Sequence, residues 1–199
     1  MDSKVLSFMV MMGVVGNVLF LTSFYLGPLA PGVALDFSHV GVFIAALYGG
    51  PTIGFFTGLL AGILPGVFFG PMGQGSWVGL IGLPIGKSLA GLTLGLLYYG
   101  LKVDRSKRRS ILTVPLVLVA YIPECIFTIF YFVGLLPYFL GGGGVGILAF
   151  VLPKAWAEIM VMSFLMAALV GNHGFSSFVN NFFTYPRETR GSGSAAAKH

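Results

Sequence analysis

Residues 35–70 read LDFSHVGVFIAALYGGPTIGFFTGLLAGILPGVFFG, and the class of the whole chain turns on this stretch. Its first half holds an Asp-x-x-His pair, Asp36 and His39, ahead of an apolar run; no other residue in it carries a charge. Its second half repeats glycine every fourth position, at Gly50, Gly54, Gly58, Gly62, Gly66 and Gly70. In water such a segment is a gross exposed apolar patch. In lipid a glycine row has a purpose, because helices there associate by close backbone approach rather than by hydrophobic exclusion. Four residues advance about 400° on a helix, so the row is expected to drift by about 40° per step and wind round the cylinder. The segment therefore reads as a central helix that touches two or more partners.

Composition agrees. Of 199 residues, 56% are hydrophobic and 9% charged, and the mean hydropathy is +0.93. Soluble domains carry about 25% charged residues, so the fold class is an all-α integral membrane protein. At about 20 residues per span the chain holds a six-transmembrane-helix bundle with short loops and leaves no room for a soluble catalytic domain. The single Cys125 cannot form an intramolecular disulfide. The net charge of +5 is not a nucleic-acid signal, since most of the excess falls in one short loop and the tail.

Working outward, the first span is expected from Val5 to about Leu26, ended by Gly27-Pro28 and Pro31-Gly32. A short second span runs from Ser38 to Tyr48. Gly49-Gly50-Pro51 then makes a turn, with Pro51 suited to the first position of the third helix. That helix reaches Phe69, with a kink expected at Pro65. Trp77 opens the fourth span and Tyr98-Tyr99 close it, as interfacial aromatic belts do. The segment KVDRSKRR, Lys102 to Arg109, holds five basic residues and one acid. The positive-inside rule places it in the cytoplasm, and with six spans both termini become cytoplasmic. The fifth span is expected over Ser110 to Leu136 and the sixth over Ile147 to Val170, with residues 1–174 forming the membrane domain. Residues 175–190 read as a cytoplasmic tail, and GSGSAAAKH at 191–199 as a linker and tag remnant. The loops before Asp36, after Phe69 and around Gly141 fall together on the outer face.

Ionisable groups inside a membrane are costly and suspected of function by default. Asp36 and His39 stand at the outer mouth of the second span. Lys87 lies near the midplane of the fourth, Glu124 midway along the fifth, and Lys154 and Glu158 one turn apart on the sixth. Lys87 and Glu124 fall at similar depth on consecutive helices, so they are expected to form a structural ion pair; pocket groups are the alternative. Lys154 and Glu158 either neutralise each other at i,i+4 or reach a ligand. Asp36 is either a helix N-cap or a pocket group. The candidate substrate-binding set is Asp36, His39, Trp77, Lys87, Tyr121, Glu124, Lys154 and Glu158. These groups cluster in the outer half, as an outward-facing pocket above a sealed floor requires.

Several classes are excluded. There is no Walker motif, no Cys/His metal spacing, no GxSxG and no HExxH. No catalytic residue, metal or cofactor is therefore assigned, nor a channel filter or the paired helix breaks of a secondary transporter.

The stretch LDFSHVGVFIAALYGGPTIGFFTGLLAGIL resembles the second and third spans of the substrate-binding S components of energy-coupling factor (ECF) vitamin transporters. GLPIGKSLAGLTLGLLY resembles their fourth span. LPKAWAEIMVMSFLMAAL resembles the sixth, which opens on Pro-Lys with a Glu four residues later. The resemblance covers most of residues 1–171. It implies a cell-membrane, multi-pass, non-enzymatic binding protein whose vitamin pocket faces outward under the first, third and fifth loops. It further implies docking on a T subunit driven by two cytoplasmic ATPases, and toppling in the membrane to release substrate. Riboflavin is the first expectation, with folate or a thiamine-pathway pyrimidine next. An uncoupled binder or scaffold, and a small membrane enzyme, are the alternatives. The family's small-residue pair on the first span, Ala-x-x-x-Ala-like, is replaced here by Gly13 and Gly16, three apart, with Asn17 at the fourth position. These three are the expected docking residues.

Overall fold

A computed structural model describes residues 3–26, 28–30, 33–73, 75–141 and 144–181. Helix α1 spans Ser3–Tyr25 and leads into a small antiparallel hairpin, β1 (Pro28–Ala30) and β2 (Val33–Ala34). Helix α2 covers His39–Gly49. The third span comes in two pieces, α3 (Pro51–Ala61) and α4 (Ile63–Phe69). Helix α5, Ser76–Gly100, is followed by a single 3-10 turn at Val103–Arg105 inside the basic loop. The fifth span is the most broken: α6 (Arg109–Ala120), α7 (Ile122–Phe130), a π-helical turn at Tyr131–Leu135 and α8 (Leu136–Leu140). Helix α9, Gly144–Gly171, is the longest, and α10 (His173–Asn180) follows it.

Among the described residues, five segments are long and apolar enough to cross a membrane, namely Ser3–Tyr25, Pro51–Phe69, Ser76–Gly100, Arg109–Leu140 and Gly144–Gly171; His39–Gly49 is a shorter apolar helix. The protein is thus a multi-pass membrane helical bundle, and its short second element is too short to span a bilayer core of about 30 Å on its own. The outer faces are apolar, as lipid demands: Val10, Val14 and Val18 are exposed in a row on α1, and Phe150, Val161 and Phe164 on α9.

The breaks have sequence causes. Pro65 cannot donate to the carbonyl of Ala61, so the expected kink takes the form of an interruption at Gly62. Pro123 does the same to the fifth span at Tyr121. The ring of Pro137 crowds the carbonyl four residues back, at Val133, and the helix widens there into the π-turn. Gly50 adopts φ +90° between α2 and α3, a left-handed conformation that favours glycine, and Pro51 starts the next helix as its fixed φ suits.

Helix α3 is central and packs on α1, α2 and α5. The glycine row itself stays along α5 from Gly54 to Gly66, with Gly54 also against Ala46 of α2. A Cβ on Gly54 would stand 2.6 Å from the Gly91 carbonyl oxygen, and one on Gly58 2.5 Å from Ser88 Cα. A Cβ on Gly62 would stand 2.7 Å from Pro84 N, and one on Gly66 3.0 Å from the Leu80 carbonyl oxygen. A neighbour crossing obliquely follows an i+4 ridge, and the break at Gly62 resets the phase, so the expected drift does not separate the row from its partner. The contact is reciprocal, since a Cβ on Gly95 would stand 2.5 Å from Pro51 Cα.

The other end of the chain corrects the expected tail. Asn172 caps α10, its Oδ1 accepting from the Phe175 N–H at 3.0 Å. Ser176 and Val179 of α10 are buried, and Ser176 Oγ lies 2.9 Å from the Tyr48 hydroxyl. Residues 175–181 therefore pack on the bundle, while 182–199 lie outside the described residues.

Replacing Gly58 with Leu drives a side chain into the α5 backbone. Overpacking costs about 1–3 kcal/mol and sometimes more, so Gly58→Leu is expected to lower the melting temperature sharply. Gly100→Ala, where nothing lies within 4 Å of the added methyl, serves as the control and should melt as wild type. Equal melting of the two variants in nanodiscs would show that α3 and α5 are not held by backbone approach.

Candidate functional site

The α3–α5 contact fixes α5, and α5 places Lys87. Its side chain is 3% exposed and its Nζ sits 2.6 Å from Asp36 Oδ2. Asp36 lies just ahead of α2. Its second oxygen, Oδ1, accepts from the Ser38 backbone N–H at 3.0 Å and from the Ser38 hydroxyl at 2.6 Å. Asp36 is thus both the turn-forming residue before a helix and an ion-pair partner, so the two readings of it coexist. Ser23 Oγ on α1 donates to the Leu35 carbonyl at 3.0 Å and holds the approach segment.

At the first position of α2, His39 stands between Lys87 and Glu124. Lys87 Nζ lies 3.4 Å from His39 Nδ1, and His39 Nε2 lies 2.8 and 3.0 Å from the two carboxylate oxygens of Glu124. An ammonium group can only donate, so Nδ1 is the acceptor and Nε2 carries the proton given to Glu124. Glu124 reaches the site because the break at Tyr121 puts it in the first turn of α7. On the other side, Glu158 Oε1 accepts from the backbone N–H of Asp36 at 2.7 Å, and its Oε2 pairs with Lys154 Nζ at 3.1 Å. The groups form one continuous chain, Glu124–His39–Lys87–Asp36–Glu158–Lys154. It ties the Leu35–Ser38 segment and α2 to α5, α7 and α9.

Two sequence expectations are corrected here. Lys87 and Glu124 do not pair with each other. Each takes a partner from the Asp36–His39 segment, which enters between α5 and α7 deeper than a surface loop. Trp77 is 70% exposed and does not line the cavity; it lies on the outside of α5, as an interfacial aromatic residue. The remaining expected residues, Asp36, His39, Lys87, Tyr121, Glu124, Lys154 and Glu158, come together on one cavity of about 580 Å³. That is within the range of small-molecule sites, about 300–1,000 Å³.

Aromatic side chains make the walls. Phe24 and Phe68 pack edge to face at 5.0 Å, with Phe69 beside them. Phe127 and Tyr131 line the opposite side, and Tyr121 stands edge-on to Trp156 at 5.3 Å. Tyr131 is turned inward within the π-turn, its ring over Gly82, where a Cβ would stand 2.7 Å from it. Sequence reasoning passed over Phe24, Phe68, Phe69 and Ser38. In a chain with 19 phenylalanines, nothing local separates a cavity wall from a lipid-facing ring.

At the mouth the lining residues come from the end of α1, the β2 strand, the end of α4, the loop before α5, the start of α8 and the start of α9. These ends share the face of the bundle opposite the basic loop at 102–109. Toward that loop the axis is filled: Ala90 and Leu94 of α5, Val117 of α6, and Met162 and Met166 of α9 are buried. The cavity is therefore open at one end and closed at the other by apolar packing.

Gly13, Gly16 and Asn17 are placed inside the bundle. A Cβ on Gly13 would stand 2.8 Å from Leu60 Cβ, and one on Gly16 2.8 Å from Ala61 Cβ. Asn17 Nδ2 donates to the Leu60 carbonyl at 2.9 Å, and its Oδ1 accepts from the Leu64 N–H at 3.2 Å across the break in the third span. Their small surface is used up by α3, which corrects the expectation that these three meet another subunit.

If the Asp36–Lys87 pair is structural, Lys87→Met strands a buried carboxylate. Removing one partner of a buried pair costs about 3–5 kcal/mol, and adding Asp36→Asn should recover most of it. A double-mutant cycle read by thermal unfolding in nanodiscs measures the coupling; additive losses would mean that the two side chains are independent.

The chain matches no protein-family model and no curated protein. Among solved structures it is similar to the S component of a bacterial ECF transporter, over 93% of this chain and 100% of that one, at 20% identity and a TM-score of 0.53. At that identity the likeness concerns the fold, and it extends from end to end of the solved protein. The chain has the fold of an ECF-transporter S component.

Proposed function

We propose that this protein is the membrane-embedded binding subunit of an ECF-type uptake system, taking a small water-soluble vitamin or vitamin precursor that contains a ring. The observation that carries the reading is the cavity: open at one end, plugged by apolar packing at the other, with aromatic walls over a floor of paired charges. A binding subunit needs a site accessible from one side only, whereas a pore needs a continuous path and an enzyme needs groups free to react. Here the ionisable side chains are engaged with one another, which suits recognition by hydrogen bonding rather than proton transfer to a substrate.

Orientation follows the basic loop. With Lys102–Arg109 on the cytoplasmic side, the cavity opens outward in the cell membrane. Ala34 of β2, Met72 and Gly73 ahead of α5, and Leu136 at the start of α8 then stand at its mouth. Release on the inner side requires the subunit to move as a body, so a T subunit and two ATPases are the implied partners. The small residues on α1 are taken up by α3, and the docking face lies elsewhere on the bundle. The aromatic walls accept a flat ring by stacking. Riboflavin, folate and a thiamine-pathway pyrimidine are the candidates that the sequence resemblance supplies.

The test separates a binder from a self-sufficient transporter. The purified protein in nanodiscs is expected to bind its ligand tightly and hydrolyse no ATP, and uptake in cells is expected to need separate ATPase and T subunits. Sustained concentrative uptake by this chain alone in liposomes would sink the reading. Within the site, Lys154 lines the cavity with its side chain 15% exposed, and Glu158 keeps the Asp36 N–H as a donor, so Lys154→Met should weaken binding while leaving the ligand-free melting temperature close to wild type. Unchanged affinity in that variant removes Lys154 from the ligand's contacts.

A further inference from the structure

Charge in the cavity is unequally matched. The chain of groups on its floor holds three carboxylates, Asp36, Glu124 and Glu158, against two ammonium groups, Lys87 and Lys154. Each ammonium has its own carboxylate: Lys87 pairs with Asp36 at 2.6 Å and Lys154 with Glu158 at 3.1 Å. Glu124 is left with His39. Among the described residues it meets no ammonium or guanidinium group, and its donor is one imidazole N–H shared between its two oxygens. The carboxylates outnumber the ammonium groups by one, and Glu124 is the carboxylate with no ammonium of its own.

A carboxylate accepts about four hydrogen bonds, and an uncompensated charge is costly away from water. Glu124 is 7% exposed and lines the cavity. Around it stand Tyr121 one turn before, Phe127 one turn after, and Tyr131 further along the same span, all on the cavity wall. Aromatic faces beside a carboxylate form a site for a cation that is flat or carried on a ring, since the ring quadrupole attracts positive charge and excludes an anion. Gly86 on α5 faces this site without a side chain; a Cβ there would stand 3.4 to 3.6 Å from Glu124 and Phe127 side-chain atoms.

We infer that the ligand carries one positive charge on or next to a heteroaromatic ring, and that Glu124 is the residue that neutralises it. This inference rests on the binding-subunit reading and narrows it. Among the candidate ligands it favours a cationic or aminated ring over neutral riboflavin and over folate, whose carboxylates would face an already negative floor.

The experiment is titration calorimetry of the full chain in nanodiscs, with thiamine and pyridoxamine as cationic rings, riboflavin as a neutral one and folate as an anion. Mass spectrometry of any ligand carried from the membrane runs alongside it. The expected result is that a cationic probe or carried ligand binds tightest and that Glu124→Gln weakens it about 30-fold or more. The ligand-free melting temperature of that variant should stay near wild type, because the amide oxygen still accepts from His39. The inference is overturned if riboflavin, folate or an uncharged carried ligand binds tightest. Wild-type affinity for the cation in Glu124→Gln overturns it as well. The wild-type comparison among probes decides the matter even if that variant does not fold. Absence of any bound or carried ligand overturns the binding-subunit reading itself, and this inference with it.

Discussion

A lysine buried in the middle of a membrane helix must find a counter-charge, and the rest of this structure is arranged around how Lys87 does so. Its ammonium, 3% exposed, meets Asp36 at 2.6 Å. Asp36 is not on a spanning helix. It is carried inward by the Leu35–Ser38 segment, which Ser23 holds from α1 and Glu158 holds from α9 through the Asp36 backbone N–H. The same inward step brings His39 to Glu124. One buried charge thus fixes a loop, the start of α2 and the relative placement of α5, α7 and α9. Ion pairs of this kind contribute little net stability relative to apolar packing. What they specify here is position.

That position depends in turn on how closely α3 and α5 approach. With glycine at 54, 58 and 62, the α3 backbone lies against Gly91, Ser88 and Pro84 with no side chain between them. Lys87 is adjacent to Ser88 and therefore leaves the contact toward the cavity. The proline breaks act on the opposite wall. Pro123 sets Glu124 in a fresh first turn, and the π-turn before Pro137 swings Tyr131 inward over Gly82. Broken helices are tolerated in a membrane where the freed backbone faces protein or a cavity, and both breaks in this span border the cavity.

Much of this is legible in the sequence, because it follows from rules with few exceptions. Apolar runs of spanning length, a proline at the start of a helix and a basic loop between two spans each have one physical reading. The membrane cost of ionisation likewise singles out Asp36, His39, Lys87, Glu124, Lys154 and Glu158 without any knowledge of their partners. Partnership itself is illegible. Depth along an isolated helix suggested Lys87 with Glu124, but the pairing is decided by a loop that dips between those helices, and no periodicity encodes that. Trp77 illustrates the same limit: an aromatic at a helix start faces lipid or cavity according to the helix's rotation, which only packing sets. Gly13 and Gly16 look like an outer surface in the sequence because close approach is visible there and the identity of the neighbour is not. That neighbour is α3 of the same chain.

The asymmetry of the two halves completes the physical picture. The buried charged groups occupy the half away from the basic loop, while Leu94, Val117, Met162 and Met166 fill the axis of the other. Opening a path through that plug would expose buried apolar surface and pull apart helices that the α3–α5 contact holds close. Rocking two halves about the site is therefore disfavoured in this bundle, because the charge chain links α2, α5, α7 and α9 across any dividing plane. A rigid body with a one-sided cavity can expose its site to the opposite side only by reorienting as a whole.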